Sequence, residues 1–160
     1  MDIPVEIVLK PHVHRFVKSH FPHQDVIPIY RNSFPGFVLI PLLERNMSYH
    51  NNAYSKIEGK SMRFHISEFF FKRTGASIST NSIYCFNEQM DKIFREQLFK
   101  AVEVVLSINN SKGTAFEIKD TIMNFCAMHG IGEDDISYET LKKDFYRWRK
   151  MYGKRSKIFG

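Results

Sequence analysis

The residues with the clearest chemical potential crowd the C-terminus. In YETLKKDFYRWRKMYGKRSKIFG, Lys143, Arg147, Lys150 and Lys154 follow i, i+4, i+7, i+11, one stripe of a helix. Lys142 and Arg149 lie beside that stripe, and Arg155 and Lys157 extend it. Eight Lys and Arg thus fall between 142 and 157 against one acid, Asp144; residues 1–141 hold fifteen basic and sixteen acidic residues. The net charge of +6 is one block. Cations on a helix neutralise phosphates and release counterions, and in a major groove Arg and Lys read guanine edges. Tyr146 and Tyr152 interleave with the cations and can stack on bases or bond phosphates. A helix C-terminus gains from a few cations opposing its dipole, but this excess is larger than that needs. The neighbouring apolar stripe, Leu141, Phe145 and Trp148, is too short and too aromatic to favour a membrane surface.

A second constellation is His12-Val13-His14. On a strand, side chains at i and i+2 share a side, and two imidazoles can hold one cation. The pair matches the histidine–hydrophobic–histidine pattern of rolling-circle replication and single-strand transposition nucleases. That resemblance implies a metal holding the scissile phosphate and a helical tyrosine, Tyr138 or Tyr146, as nucleophile. Those enzymes place the pair on a central strand, whereas Pro11 restricts this one to a strand edge or start, or begins a helix that sends the two rings apart. With no carboxylate or Cys interleaved at ligand spacing, His12, His14, His20 and His23 read as surface histidines on a helix. Cys85 and Cys126 fall among apolar helical positions and read as buried small hydrophobes. Glu133-Asp134-Asp135 supplies negative charge ahead of a helix N-terminus. No Gly-rich phosphate loop, Ser/His/Asp set or paired carboxylate stands out. The expectation is no catalytic residue, no metal and no cofactor.

The elements that must position these residues are readable from periodicity. At 160 residues and 18.9 kDa the chain is one domain or two small ones sharing a core. Its 43% hydrophobic and 25% charged content excludes a disordered or collagen-like chain. No run of 18 apolar residues and no secretory leader pattern occurs, and two cysteines make no disulfide framework. The expectation is an intracellular, reducing, cytoplasmic setting. Ile3–Leu9 alternates as a half-buried strand; Pro11 then opens a helix burying Val13, Phe16 and Val17. Val26–Tyr30 suits an edge strand, and Phe37–Leu43, broken by Pro41, fits either a buried strand or a short helix. Asn46–Asn52 reads as a turn. Tyr54–Ile57 and Met62–Ile66 read as a hairpin around Glu58-Gly59-Lys60. Ser67 caps a short helix carrying Phe69, Phe70 and Phe71, stopped at Gly75.

From Thr80 or Asn81 a long helix runs to Leu106, marked by Ile83, Phe86, Met90, Phe94, Leu98 and Val102. A helix over 114–128 turns Ala115, Ile118, Ile122 and Phe125 inward, with Gly130 as its stop. Ser137 caps a last helix through Lys150 that packs on Leu141, Phe145 and Trp148. The fold class is α+β: a mixed α/β region over 1–66 and a helical region over 67–160.

The helix over 114–128 followed by the basic one over 137–150 has the outline of a helix-turn-helix with the recognition helix second, although the connection His129–Ile136 is longer than usual. FFFKRTGASISTNSIYCFN shows a similar helix–Gly–turn–helix outline, with Phe71 where a small residue is wanted and a nearly neutral helix after it. Over residues 114–150, with FCAMHGIGEDDISYETLKKDFYRWRK at its centre, the chain resembles predicted helix-turn-helix-like DNA-binding proteins of bacterial phages and mobile elements. The resemblance adds to the DNA reading and supplies no catalytic residue. The expectation is non-catalytic binding of duplex DNA in transcriptional or replication control, with a homodimer or another protein as a further partner. The other class of function is a protein-interaction or virion-associated structural protein whose basic tail touches a partner or packaged nucleic acid.

Overall fold

The computed structural model describes residues 2–44, 57–68 and 78–159, and within these the side chains of 2, 44 and 153–159 stand outside the description. The turn at Asn46–Asn52, the strand residues Tyr54–Lys56, and the Phe69–Phe71 helix with its Gly75 stop lie outside the described residues. The elements run β1 (Asp2–Leu9), α1 (Pro11–Ser19), β2 (Val26–Pro28), α2 (Gly36–Glu44), β3 (Lys60–Ser67), α3 (Thr80–Ile108), α4 (Ala115–Met128) and α5 (Tyr138–Phe159). The class is α+β, with the strands in the first half and helices alone in the second. The chain gathers into two compact units, 1–92 and 93–160, divided within α3.

In the first unit β3 is the central strand of a three-stranded sheet of order β1-β3-β2, antiparallel to β1 and parallel to β2. Its alternation is clean: Met62, Phe64 and Ile66 are buried while Ser61, Arg63 and Ser67 are exposed. On one side β3 pairs with β1, Val5 opposite Phe64 and Ile7 opposite Met62, and on the other with β2, Ile27 opposite Phe64. Ile57 and Glu58 are outside any strand. Only the long-range β1 pairing places Ile7 and Leu9 on the face that Met62 and Phe64 bury. Exposed Glu6 then faces Arg63, at 3.2 Å. Pro4 and Pro28 fall on the two edge strands, where a missing N–H costs no ladder bond. Phe37–Leu43 is helical, with Val38, Leu39, Ile40 and Leu42 buried and Pro41 inside α2.

Pro11 sits at the first turn of α1, where its lost N–H is an orphan in any case. The corner before it is held by Asn87 of α3, which is fully buried: its Oδ1 accepts the Lys10 N–H at 2.8 Å, and its Nδ2 donates to the carbonyls of Val8 and Ile83, each at 3.0 Å. Gly59 meets the same corner from β3. A Cβ built there would lie 1.8 Å from the Leu9 carbonyl oxygen, so no side chain fits without moving backbone. Gly59→Ala should lower stability by about 1–3 kcal/mol through this overpacking, read as an earlier denaturation midpoint at unchanged slope; an unshifted midpoint would mean that the corner yields freely.

The second unit is α4, α5 and the C-terminal part of α3. Leu98, Phe99, Val102, Leu106, Ile118, Ile122, Leu141 and Phe145 are buried in it. Both connections begin with the same stop. After α3, the Ser111 N–H reaches the Leu106 carbonyl and the Asn110 N–H that of Ser107, with Asn110 at φ 50°. After α4, Ile131 bonds Cys126 and Gly130 bonds Ala127, with Gly130 at φ 68°. Each is the pair of bonds that satisfies the last carbonyls of a helix and needs a left-handed residue, which Gly and Asn adopt most readily. Ile131, just past the second stop, is buried. Thr114 accepts the Glu117 N–H and Ser137 accepts the Thr140 N–H, each at 3.2 Å, so both helices start on side-chain caps. Ala115, expected inward, is exposed: it opens α4, and the buried stripe starts at Ile118. The last helix does not end at Lys150 but continues to Phe159.

Candidate nucleic-acid interface

Each residue of a helix advances about 100° around the axis. With Leu141 as zero, Phe145 and Trp148 fall within about 40° of it, whereas Lys142, Tyr146, Lys150, Lys143 and Arg147 sweep from about 100° to about 240°. The two sets do not mix. Leu141 and Phe145 are 1% and 0% exposed, and Trp148 is half-buried. Their seam is aromatic: the Phe145 ring lies 5.7 Å from Phe99 of α3 and 6.1 Å from Trp148, and Trp148 lies 5.6 Å from Phe99.

On the outward arc Lys143 and Lys150 are exposed, Arg147 is 76% exposed, Tyr146 is 39% exposed and Lys142 is half-buried. Tyr146 stands among cations, four residues from Lys142 and Lys150 and three from Lys143. One negative charge, Glu139, is exposed in the first turn, where it complements the helix dipole. Tyr152, next to Trp148 at 4.4 Å, is exposed on the packing side. The side chains of Lys154, Arg155 and Lys157 lie outside the described residues, although the helix carries their backbone.

Arg149 behaves differently from the other cations of the block. Its Nε lies 3.1 Å from a Glu103 carboxylate oxygen, its Nη2 donates to the Lys112 carbonyl at 3.0 Å, and its guanidinium lies 5.9 Å from the Phe145 ring centre. It anchors α5 to α3 and to the α3–α4 connection. Asp144, the acid within the block, is held by Arg95 of α3 and lies 3.5 Å from Arg147. Neither Glu103 nor Arg95 was expected to bear on the site; a charged residue on the same long helix as its apolar stripe carries no mark of its partner on α5.

The histidines are corrected by the structure. His12 is not a surface residue: it is 7% exposed, and its Nε2 lies 2.8 Å from the Asp91 carboxylate of α3. His14, two residues on, turns toward the start of β3. Burial first, then the charges of Lys60, Arg15 and Lys18, pushes its pKa below the usual histidine value, against a bond to the Ser61 backbone that raises it. His20 and His23 are exposed but lie past the end of α1. The rings of His12 and His14 therefore do not converge. Tyr138 is pushed up from the ordinary tyrosine value by burial and then by Glu139 and Tyr146, the opposite of what an attacking phenolate requires. Cys126 is buried as expected, whereas Cys85 is half-buried. Among the described residues no group of three or more His, Cys, Asp or Glu is gathered for a metal, and no helix is long and apolar enough to cross a membrane.

Comparison of the chain with protein-family models, with curated proteins and with solved structures returns no match.

Proposed function

We propose that this chain binds duplex DNA through the outward arc of α5, without chemistry on the nucleic acid, as an intracellular regulator of transcription or replication in a phage or mobile element. The observation that carries the reading is the separation of faces. Leu141 and Phe145 dock the helix while Lys142, Lys143, Tyr146, Arg147 and Lys150 face away from that seam. A helix held by one side and cationic on the other is the minimum needed to enter a groove or lie along phosphates. α4 ahead of it, stopped by Gly130, supports the helix-turn-helix order. A second reading draws on exposed apolar side chains: Ile108, Phe116 and Met128 are 76%, 76% and 78% exposed, which suits a protein-binding or virion-associated chain.

The test is duplex affinity across a salt series. With about five cations on phosphates, log K should fall with log salt at a slope near −4 to −5. A slope near zero would overturn the reading. A regulator should prefer one short genomic duplex over random duplex by about 10³ or more, and a packaging protein should show no such preference.

A further inference from the structure

α1 packs against β3, and Val13, Phe16 and Val17 of α1 are fully buried. His14 stands beside them, half-buried, with its ring bonded to the Ser61 backbone at the start of β3. The ring's Nδ1 is shut off from water and has no hydrogen-bond partner. A bond that favours the charged ring is one the ring donates, so Nε2 carries the proton and Nδ1 is bare. A bare Nδ1 leaves a lone pair unfilled. A protonated Nδ1 would be worse: a buried donor without an acceptor, on a charged ring.

The surroundings oppose that proton as well. Beyond burial, the charges that act on the ring are Lys60 from β3 and Arg15 and Lys18 from α1, all positive. Lys60 and Arg15 are exposed, and Lys18 donates to the Gln24 carbonyl. Carboxylates on the neighbouring elements are engaged elsewhere: Glu6 of β1 pairs with Arg63, and Glu88 and Asp91 of α3 with Lys10 and His12. His12 thus faces the acceptor that a ring proton needs, and His14 does not.

We propose that His14 is a proton-operated latch on α1: the neutral ring seats the helix on the start of β3, and the protonated ring withdraws toward water and loosens it. The sign of the linkage follows from the same contacts. Burial, then the three cations, keeps the ring in the folded chain below the ordinary histidine value of 6.5. The opened chain therefore takes up the proton first. The stability that the neutral ring contributes is whole above about pH 6.5 and is lost as the pH falls below it. The latch lies in the first unit and acts whatever α5 binds.

The test uses the full chain in three forms: native, His14→Gln, which keeps a donor for Ser61, and His14→Phe, which keeps a ring. NMR of the native histidine rings should show His14 with its proton on Nε2 at about pH 7.5 and titrating below the ordinary histidine value. Hydrogen-exchange protection of the amides from Val13 to Lys18 should fall as the pH is lowered through that titration, by at most about tenfold per pH unit, the limit for one proton. Neither variant should show that fall, and the native chain should take up more protons on unfolding below about pH 6.5 than either of them. If neither variant folds, the ring titration and its coincidence with loss of α1 protection in the native chain still decide. A His14 ring that titrates at or above the ordinary value, a proton on Nδ1 at neutral pH, α1 protection that does not follow the ring's titration, or an equal fall in a folded variant would each overturn the proposal.

Discussion

Changing Lys143, Arg147 and Lys150 together to glutamate should lower affinity for duplex DNA by about a thousandfold. Non-specific binding near 10⁻⁵ M, spread over about five phosphate contacts, assigns each contact about 1.4 kcal/mol, a factor of ten. Removing three contacts accounts for the estimate, and the three new negative charges push it further. The salt slope should fall with it, from about −4.5 to about −2. These positions suit the test because little of the fold depends on them. Lys143 and Lys150 are exposed, and the Arg147–Asp144 pair at 3.5 Å is of the exposed kind that contributes under about 1 kcal/mol. Anisotropy titrations on the variant, with a thermal melt as control, decide the matter: a folded triple variant that binds as tightly as the native chain ends the nucleic-acid reading of α5.

Truncating Phe145 to alanine should destabilise the fold by about 3–5 kcal/mol. The ring is fully buried, stacks 6.1 Å from Trp148 and lies 5.7 Å from Phe99. Its loss empties the centre of the seam that docks α5, and it also removes the surface beneath the Arg149 guanidinium. Leu141→Ala should cost about 2–5 kcal/mol by the same reasoning, and Trp148→Ala less, because Trp148 is half-buried. Denaturant midpoints would show these losses. A change below about 0.5 kcal/mol for Phe145→Ala would mean that α5 is free in solution and folds against a partner.

The helical half was legible because its signals are local. Leu98, Val102 and Leu106, or Ile118 and Ile122, recur at the spacing of one helix face, and Thr114, Ser137, Gly130 and Asn110 act within a turn of where they stand. The sheet was legible only strand by strand. Met62, Phe64 and Ile66 announce their alternation, but nothing near them announces that their partner is Ile3–Ile7, more than fifty residues earlier. His12 illustrates the same limit. A histidine beside Pro11 on a short helix looks solvated until Asp91, 79 residues on, arrives at 2.8 Å. Arg149 likewise looked like one more cation of a basic stripe, and its tie to Glu103 comes from helix packing that no window of sequence contains.

Asp144 has a consequence for speed. A lone acid amid the block would open a gap in its potential, but Arg95 holds that carboxylate from the α3 side. Past the exposed Glu139 of the first turn, the charges from Lys142 to Lys150 that face outward are all positive, and at physiological ionic strength their field reaches outward about 8 Å before ions screen it. An approaching polyanion is turned and drawn in over that distance before any side chain touches it. Capture steered in this way is fast and falls steeply as salt is added, whereas escape is governed by short-range contacts and changes little. On the proposed nucleic-acid reading, the Arg95–Asp144 pair is a device of encounter: it would set how often the C-terminal helix meets its target, through a residue that need never touch it.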